Sequence, residues 1–179
     1  MIINEFMPSY DVRELHWRVM RGRPADIYST IRNADLGSSW LIRWLFKVRG
    51  LPASALSIDG LFDVGFIRLA DQPEREFVVG IIGRFWKGSG DLKKANPQEY
   101  RAFEQPGYNK AVWHFSVEPV DGQRCRVATE TRVISYGRPA KLFFRIYWQL
   151  IAPFSGLIRR EMLRMIEREM ENDSPQTQA

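Results

Sequence analysis

The last third of the chain constrains the fold more than any other stretch. A strand-like run, Arg126–Ile134, leads through Gly137 and Pro139 into about 34 residues of helical pattern that end near Glu171. Projected at about 100° per residue, Phe144, Trp148, Ile151, Ile158, Met162, Met165 and Ile166 share one stripe, so this helix is expected to lie along a sheet for its whole length. Beyond Gly156 its opposite side is charged, with Arg160, Arg164, Glu167, Arg168 and Glu171. Before Pro153 the far side is apolar as well, through Leu142, Phe143, Ile146 and Leu150. A helix apolar nearly all round is normally covered, and residues 87–108, a second protomer or a membrane surface are the available covers. Pro153 lacks the donor for its intrahelical bond, which predicts a kink.

Upstream, Glu14–Met20 alternates, with Leu15, Trp17 and Val19 on one side and Glu14, His16 and Arg18 on the other, the period of a half-buried strand. Pro24 suits the first turn of a helix carrying Ile27, Ile31 and Ala34. A second helix is expected over Ser39–Arg49, with Leu41, Trp44, Leu45 and Val48 inward and Gly50 and Pro52 as its stop. The middle reads as antiparallel sheet: Leu61–Leu69, Glu76–Trp86, Lys110–Glu118 and Arg124–Ile134 are rich in β-branched and aromatic residues, and Val120-Asp121-Gly122-Gln123 marks a hairpin. Ala111, Trp113, Phe115 and Val117 form one face of the third of these strands, with His114, Ser116 and Glu118 on the other. Within the polar excursion 87–108, Asn96-Pro97-Gln98-Glu99 has the makings of a capping box. The ordered domain is expected to span Met1–Glu171, followed by a disordered polar tail, Asn172–Ala179.

A chain of 179 residues suits a single domain that buries roughly 70% of its unfolded surface. The single cysteine, Cys125, excludes an intrachain disulfide and fits a reducing compartment, so a cytoplasmic protein is expected. The first residues lack a basic stretch followed by an apolar core, and no uncharged run approaches the roughly 18 residues of a spanning helix. The 26 Lys and Arg against 21 Asp and Glu leave a net charge of +5. These cations are dispersed and interleaved with acids, unlike the basic face of a nucleic-acid binder, so no nucleic-acid partner is expected.

Candidate chemistry is sparse. Two histidines, His16 and His114, and one cysteine on separate strands make no zinc set, and no acidic cluster has calcium-loop spacing, so neither metal nor cofactor is expected. Cys125 lacks a placed base and reads as inert. Lys87-Gly88-Ser89-Gly90 lacks the strand and helix context of a phosphate cradle and reads as a turn. Glu130 and Arg132, two apart on one strand face, read as a surface pair of small energetic weight. Trp40, beside Arg43, Lys47 and Arg49, is the better candidate for an anionic bilayer surface, while Trp44 is expected in the core.

The order of these elements, with the Arg23-Pro24-Ala25 helix entry, the Thr129-Glu130-Thr131-Arg132 strand, and Tyr147-Trp148 through Ser155-Gly156-Leu157-Ile158-Arg159-Arg160, resembles a bacterial branch of the SRPBCC superfamily of START-like, polyketide-cyclase-related proteins. The resemblance covers essentially the whole ordered chain. It implies an α+β helix-grip fold, a curved antiparallel sheet wrapped around the long C-terminal helix, with two short helices after the first strand. It also implies a cavity between sheet and helix for an apolar ligand, lined by Trp17, Phe66, Ile81, Phe85, Trp113, Phe115, Thr129, Thr131, Trp148, Ile151, Ile158 and Met162, with 87–108 as its lid. The alternative is that these side chains fill a solid core.

Three functional classes follow. The first is binding or transport of an apolar or aromatic small molecule of the lipid, quinone or polyketide class. The second is a cyclase- or aromatase-type enzyme, which needs an acid or base in the pocket; Arg84, His114 and Glu130 serve only if the strand registers shift by one. The third is an interaction module in which Leu142, Phe143, Ile146 and Leu150 dock a second protomer, another protein or a bilayer.

Overall fold

The computed structural model describes residues 1–48, 56–87 and 90–173. Its elements in chain order are α1 (Ile3–Phe6), β1 (Val12–Arg21), α2 (Pro24–Asn33), a 3-10 turn (Leu36–Ser38), α3 (Trp40–Val48), α4 (Ile58–Asp63), β2 (Ile67–Gln72), β3 (Glu76–Gly83), α5 (Pro97–Ala102), β4 (Asn109–Pro119), β5 (Arg124–Ser135) and α6 (Arg138–Asp173). The strands form one antiparallel sheet in the order β1-β5-β4-β3-β2. The sheet is curved and unclosed, and α6 follows it: an α+β helix-grip architecture. Both short helices after the first strand are present, α2 entering through Pro24 as its spacing predicts.

Strand alternation divides the sheet into two buried faces. Under α6, a row of neighbours runs Glu14, Thr131, Trp113 and Val79, and the next row runs His16, Thr129, Phe115 and Phe77. There Phe77, Val79, Phe115, Val127, Ile158, Met162 and Ile166 join Ile27 and Ile31 of α2 in the main core, each large apolar side chain contributing ~1.5–3 kcal/mol by burial. The far face buries Val78, Ile82 and Val112 against Ile3 and Phe6 of α1, Met7 just after it and Tyr100 of α5.

Several expectations need correction. The chain opens with α1, a helix before the first strand. The start of the strand expected over Leu61–Leu69 is instead the end of a helix, Ile58–Asp63, because the Ser57 side chain caps the amide of Gly60 and nucleates a turn; β2 starts only at Ile67. The excursion 87–108 does hold the capped turn at Asn96, in which Asn96 and Glu99 each accept from the other's backbone amide. Its helix packs on the far face of the sheet, away from α6. Tyr100 is buried on the far face and its hydroxyl donates to the Ala111 carbonyl at 2.7 Å, and a Cβ on Gly80 would meet the Tyr100 ring at 2.6 Å. Lys110 fastens the same segment: its buried ammonium donates to the carbonyls of Tyr100, Arg101 and Phe103, each at 3.3 Å, satisfying the end of α5. The expected helix stop at Gly50 and Pro52, the Gly88-Ser89 turn and the polar tail beyond residue 173 lie outside the described residues.

Candidate functional site

β1 presents Glu14, His16, Arg18 and Met20 to α6, and not the apolar set Leu15, Trp17 and Val19. Trp17 therefore sits on the opposite face from the other proposed lining residues, 56% exposed, with the Arg126 guanidinium 5.0 Å from its ring. The cause is position: β1 is an edge strand, and its inward polar side chains find partners on α6. Ser155 donates to Glu14 at 2.8 Å, Glu14 and His16 Nε2 lie 2.9 Å apart, and Arg18 pairs with Glu167 at 2.6 Å. The helix backbone comes so close here that a Cβ on Gly156 would meet Glu14 Oε1 at 2.9 Å and His16 Nε2 at 3.5 Å. This pair is a seat for α6, with no room between helix and imidazole for a substrate.

The remaining lining candidates divide into two groups. Phe115, Ile158 and Met162 are buried among core side chains, Phe115 stacked 4.9 Å from Phe77, and Phe66 packs against the same cluster. That end of the helix–sheet interface is solid. Toward the start of α6, by contrast, Ile81, Phe85 and Trp148 are only half-buried around Phe144, whose ring lies 6.3 Å from Phe85 and 5.8 Å from Trp148. Ile151 is half-buried as well, and Trp113, also half-buried, bridges to the solid end with its ring 5.0 Å from Phe115.

Two buried threonines of β5 lie beside Trp113. Thr129 Oγ1 accepts from Trp113 Nε1 at 2.7 Å and from Arg159 Nη1 at 3.1 Å, with the Arg159 guanidinium 5.0 Å over the Trp113 ring. Thr131, between Glu14 and Trp113 and only 8% exposed, has a buried hydroxyl with no hydrogen-bond partner. Leaving a buried hydroxyl unpaired costs about 1–3 kcal/mol, so a partner of its own is favoured there.

The residues considered for acid–base work are elsewhere. His114 and Glu130 face the side of the sheet away from α6, as the alternation of β4 and β5 predicts. Glu130 is 0% exposed and held by Arg13 at 2.8 Å and Arg132 at 2.6 Å, so the expected surface pair is a buried ion cluster. Burial pushes the Glu130 carboxyl up, but the hydrogen bonds from the two guanidinium groups outweigh it and hold the group below its usual range. Arg132 also donates to Asn4 and to the Met7 carbonyl, tying α1 to the sheet. His114 lies 2.8 Å from Glu76, which accepts the Ile2 amide; burial lowers the imidazole's pKa despite that carboxylate. Arg84 donates to the Gly107 carbonyl and pairs with Asp91, bracing the excursion. The Cys125 thiol is buried, donates to the Gly22 carbonyl at 3.4 Å and is pushed up by burial, the opposite of activation.

Sequence reasoning missed Arg159 as a partner of Thr129 and Glu14 as the acceptor for Ser155. The signal available was Gly156: a glycine inside a helix, in phase with an Arg three residues on, marks close approach to a polar strand face. Among the described residues no group of three or more His, Cys, Asp or Glu is placed to hold a metal, and no helix is long and apolar enough to cross a membrane.

The fold defines a helix-grip α+β protein with a polar seat and an adjoining half-buried aromatic lining between sheet and helix. No family model, curated protein or solved structure matches the chain.

Proposed function

We propose that the protein binds an apolar or aromatic small molecule of the lipid, quinone or polyketide class between the first half of α6 and the sheet. The observation that carries this reading is the Thr131 hydroxyl, buried and without a partner beside the half-buried Trp113. Binding sites of this kind are mostly apolar with a few polar groups that set orientation. The ligand would lay its apolar body against Trp113, Trp148, Ile81, Phe85 and Ile151 and direct a carbonyl or hydroxyl oxygen to Thr131. The resemblance to START-like proteins agrees with this reading, and catalysis forms no part of it, since the inward Glu14 and His16 are closed over by the helix backbone at Gly156.

The test is tryptophan fluorescence titration with a naphthoquinone and with palmitate, on the wild type, Thr131→Val and Trp148→Ala. Saturable quenching is expected for at least one probe. Thr131→Val should weaken it about tenfold, the worth of one hydrogen bond of about 1.4 kcal/mol, and Trp148→Ala should abolish it. Binding indifferent to both changes, or no binding by either probe, would sink the proposal.

A further inference from the structure

The outer side of α6 before Gly156 remains uncovered. Leu142, Phe143, Ile146 and Leu150 are each half or more exposed, Leu150 at 68%, and Phe154 and Leu157 extend the stripe. Trp86 stacks on Phe143 at 5.9 Å, which covers that side chain only in part. α3, packed against α6, turns Trp40 (71% exposed) and Trp44 outward as well, so Trp44 is not the core residue its spacing predicts. Isolated exposed apolar residues are ordinary, whereas a continuous stripe over four turns marks an interaction surface.

The charges around the stripe identify the partner. Residues 138–160 hold Arg138, Lys141, Arg145, Arg159 and Arg160 with no Asp or Glu, and residues 36–58, which include α3, hold Arg43, Lys47 and Arg49 with no Asp or Glu. Among the described residues no carboxylate lies within ion-pair distance of Arg138, Arg145, Arg160 or Lys47, and all four are exposed. Lys141 pairs with Asp11, and acids resume only at Glu161, which turns to Arg164. A second copy of the chain docking stripe to stripe about a two-fold axis would set these cations against their own counterparts with no acid to meet them. A surface offering both hydrocarbon and fixed negative charge satisfies every group: apolar side chains and indoles enter the acyl boundary while Arg and Lys extend to phosphates.

We infer that the protein docks on anionic lipid bilayers through the uncovered face of α6, Leu142 to Leu157, together with Trp40 and Trp44 of α3. Docking is independent of any molecule held at Thr131, so the two proposals fail separately.

The experiment is co-sedimentation of the full chain with vesicles of phosphatidylcholine alone and of phosphatidylcholine with 30 mol% phosphatidylglycerol, at low and moderate salt. Binding to the anionic vesicles should exceed binding to the neutral ones about tenfold or more and weaken as salt rises. Leu150→Glu and, independently, Leu142→Glu should each reduce it about tenfold, with circular dichroism unchanged because both side chains are exposed; Trp40 fluorescence should shift to the blue on binding and not in the variants. Equal binding to both vesicles, binding untouched by both substitutions, or a concentration-dependent dimer lost in Leu150→Glu without vesicle binding would each overturn the inference, the last by giving the face to a second copy.

Discussion

Each face of the sheet holds a polar cluster and also leaves one buried hydroxyl without a partner, Ser116 on the far side and Thr131 under α6, but the clusters beside them differ. Away from α6, the Arg13–Glu130–Arg132 cluster and the His114–Glu76–Ile2 chain are closed: each charged or titratable group meets a partner in the same chain. Under α6, Glu14, His16, Ser155 and Thr129 are likewise partnered, yet one residue along the same row Thr131 is left over. A closed network fixes structure: it joins α1 to the sheet and leaves no valence for anything else. An open one carries a standing cost that a molecule from outside can relieve.

The strongest way to break this comparison is at Glu130. Glu130→Ala should strand the buried Arg132 guanidinium, while the exposed Arg13 turns to water, and lower stability by about 3 kcal/mol in urea unfolding; a loss under about 1 kcal/mol would mean the cluster behaves as an exposed pair. An intermediate effect is expected from acid. The unfolded chain takes a proton on His114 near its ordinary value of 6.5, while the folded imidazole, kept neutral chiefly by burial, resists it to lower pH. Stability from this group is therefore complete above about pH 6.5 and is lost as pH falls toward the lowered folded value. Glu130, held below 4.5 in the fold, adds a second loss once pH drops beneath that ordinary value. Urea midpoints should hold level from pH 7.5 to about 6.5 and decline below that, and His114→Gln should flatten the upper part of that decline alone. The smallest effect sharpens the contrast: Thr131→Val, which removes a hydroxyl with nothing to bond, should change stability by less than ~1 kcal/mol or raise it slightly. A cost of 2 kcal/mol or more would show that Thr131 belongs to a closed network after all.

Most of the sheet was legible from residue patterns because the central strands are buried on both faces with unequal character. In β4 the aromatic pair Trp113 and Phe115 alternates with His114 and Ser116, and only one assignment of faces keeps the rings with α6. β1 was misread for the same physical reason in reverse. Its apolar set looks like the core side, but an edge strand meets little on its outer face, and the identity of the inner face was decided by Ser155, Arg159 and Glu167 more than a hundred residues away. The lining residues contributed by β4, β5 and α6 followed from alternation and helical spacing. That Phe115 and Met162 would plug one end while Thr131 stayed unpaired depends on packing distances that no one-dimensional pattern contains. The burial of Glu130 was hidden too, since α1, the element covering it, is only four residues long.

The pairing of β1 with β5 also sets an order of events. The β3–β4–β5 meander and α6 are contiguous in the chain, whereas Arg13 must find Glu130 across 117 residues. Closing so long a loop carries an entropy cost that nearer contacts do not, and non-local strand pairing is correspondingly slow. Until β1 arrives, β5 is an open sheet margin whose outward-pointing alternate amides and carbonyls between Val127 and Ile134 are available to any extended chain, the ordinary hazard of an uncovered strand. The alternating charges of Arg124, Arg126, Glu130 and Arg132 along that margin are thus of use before the native state exists, as deterrents to mispairing while the strand waits.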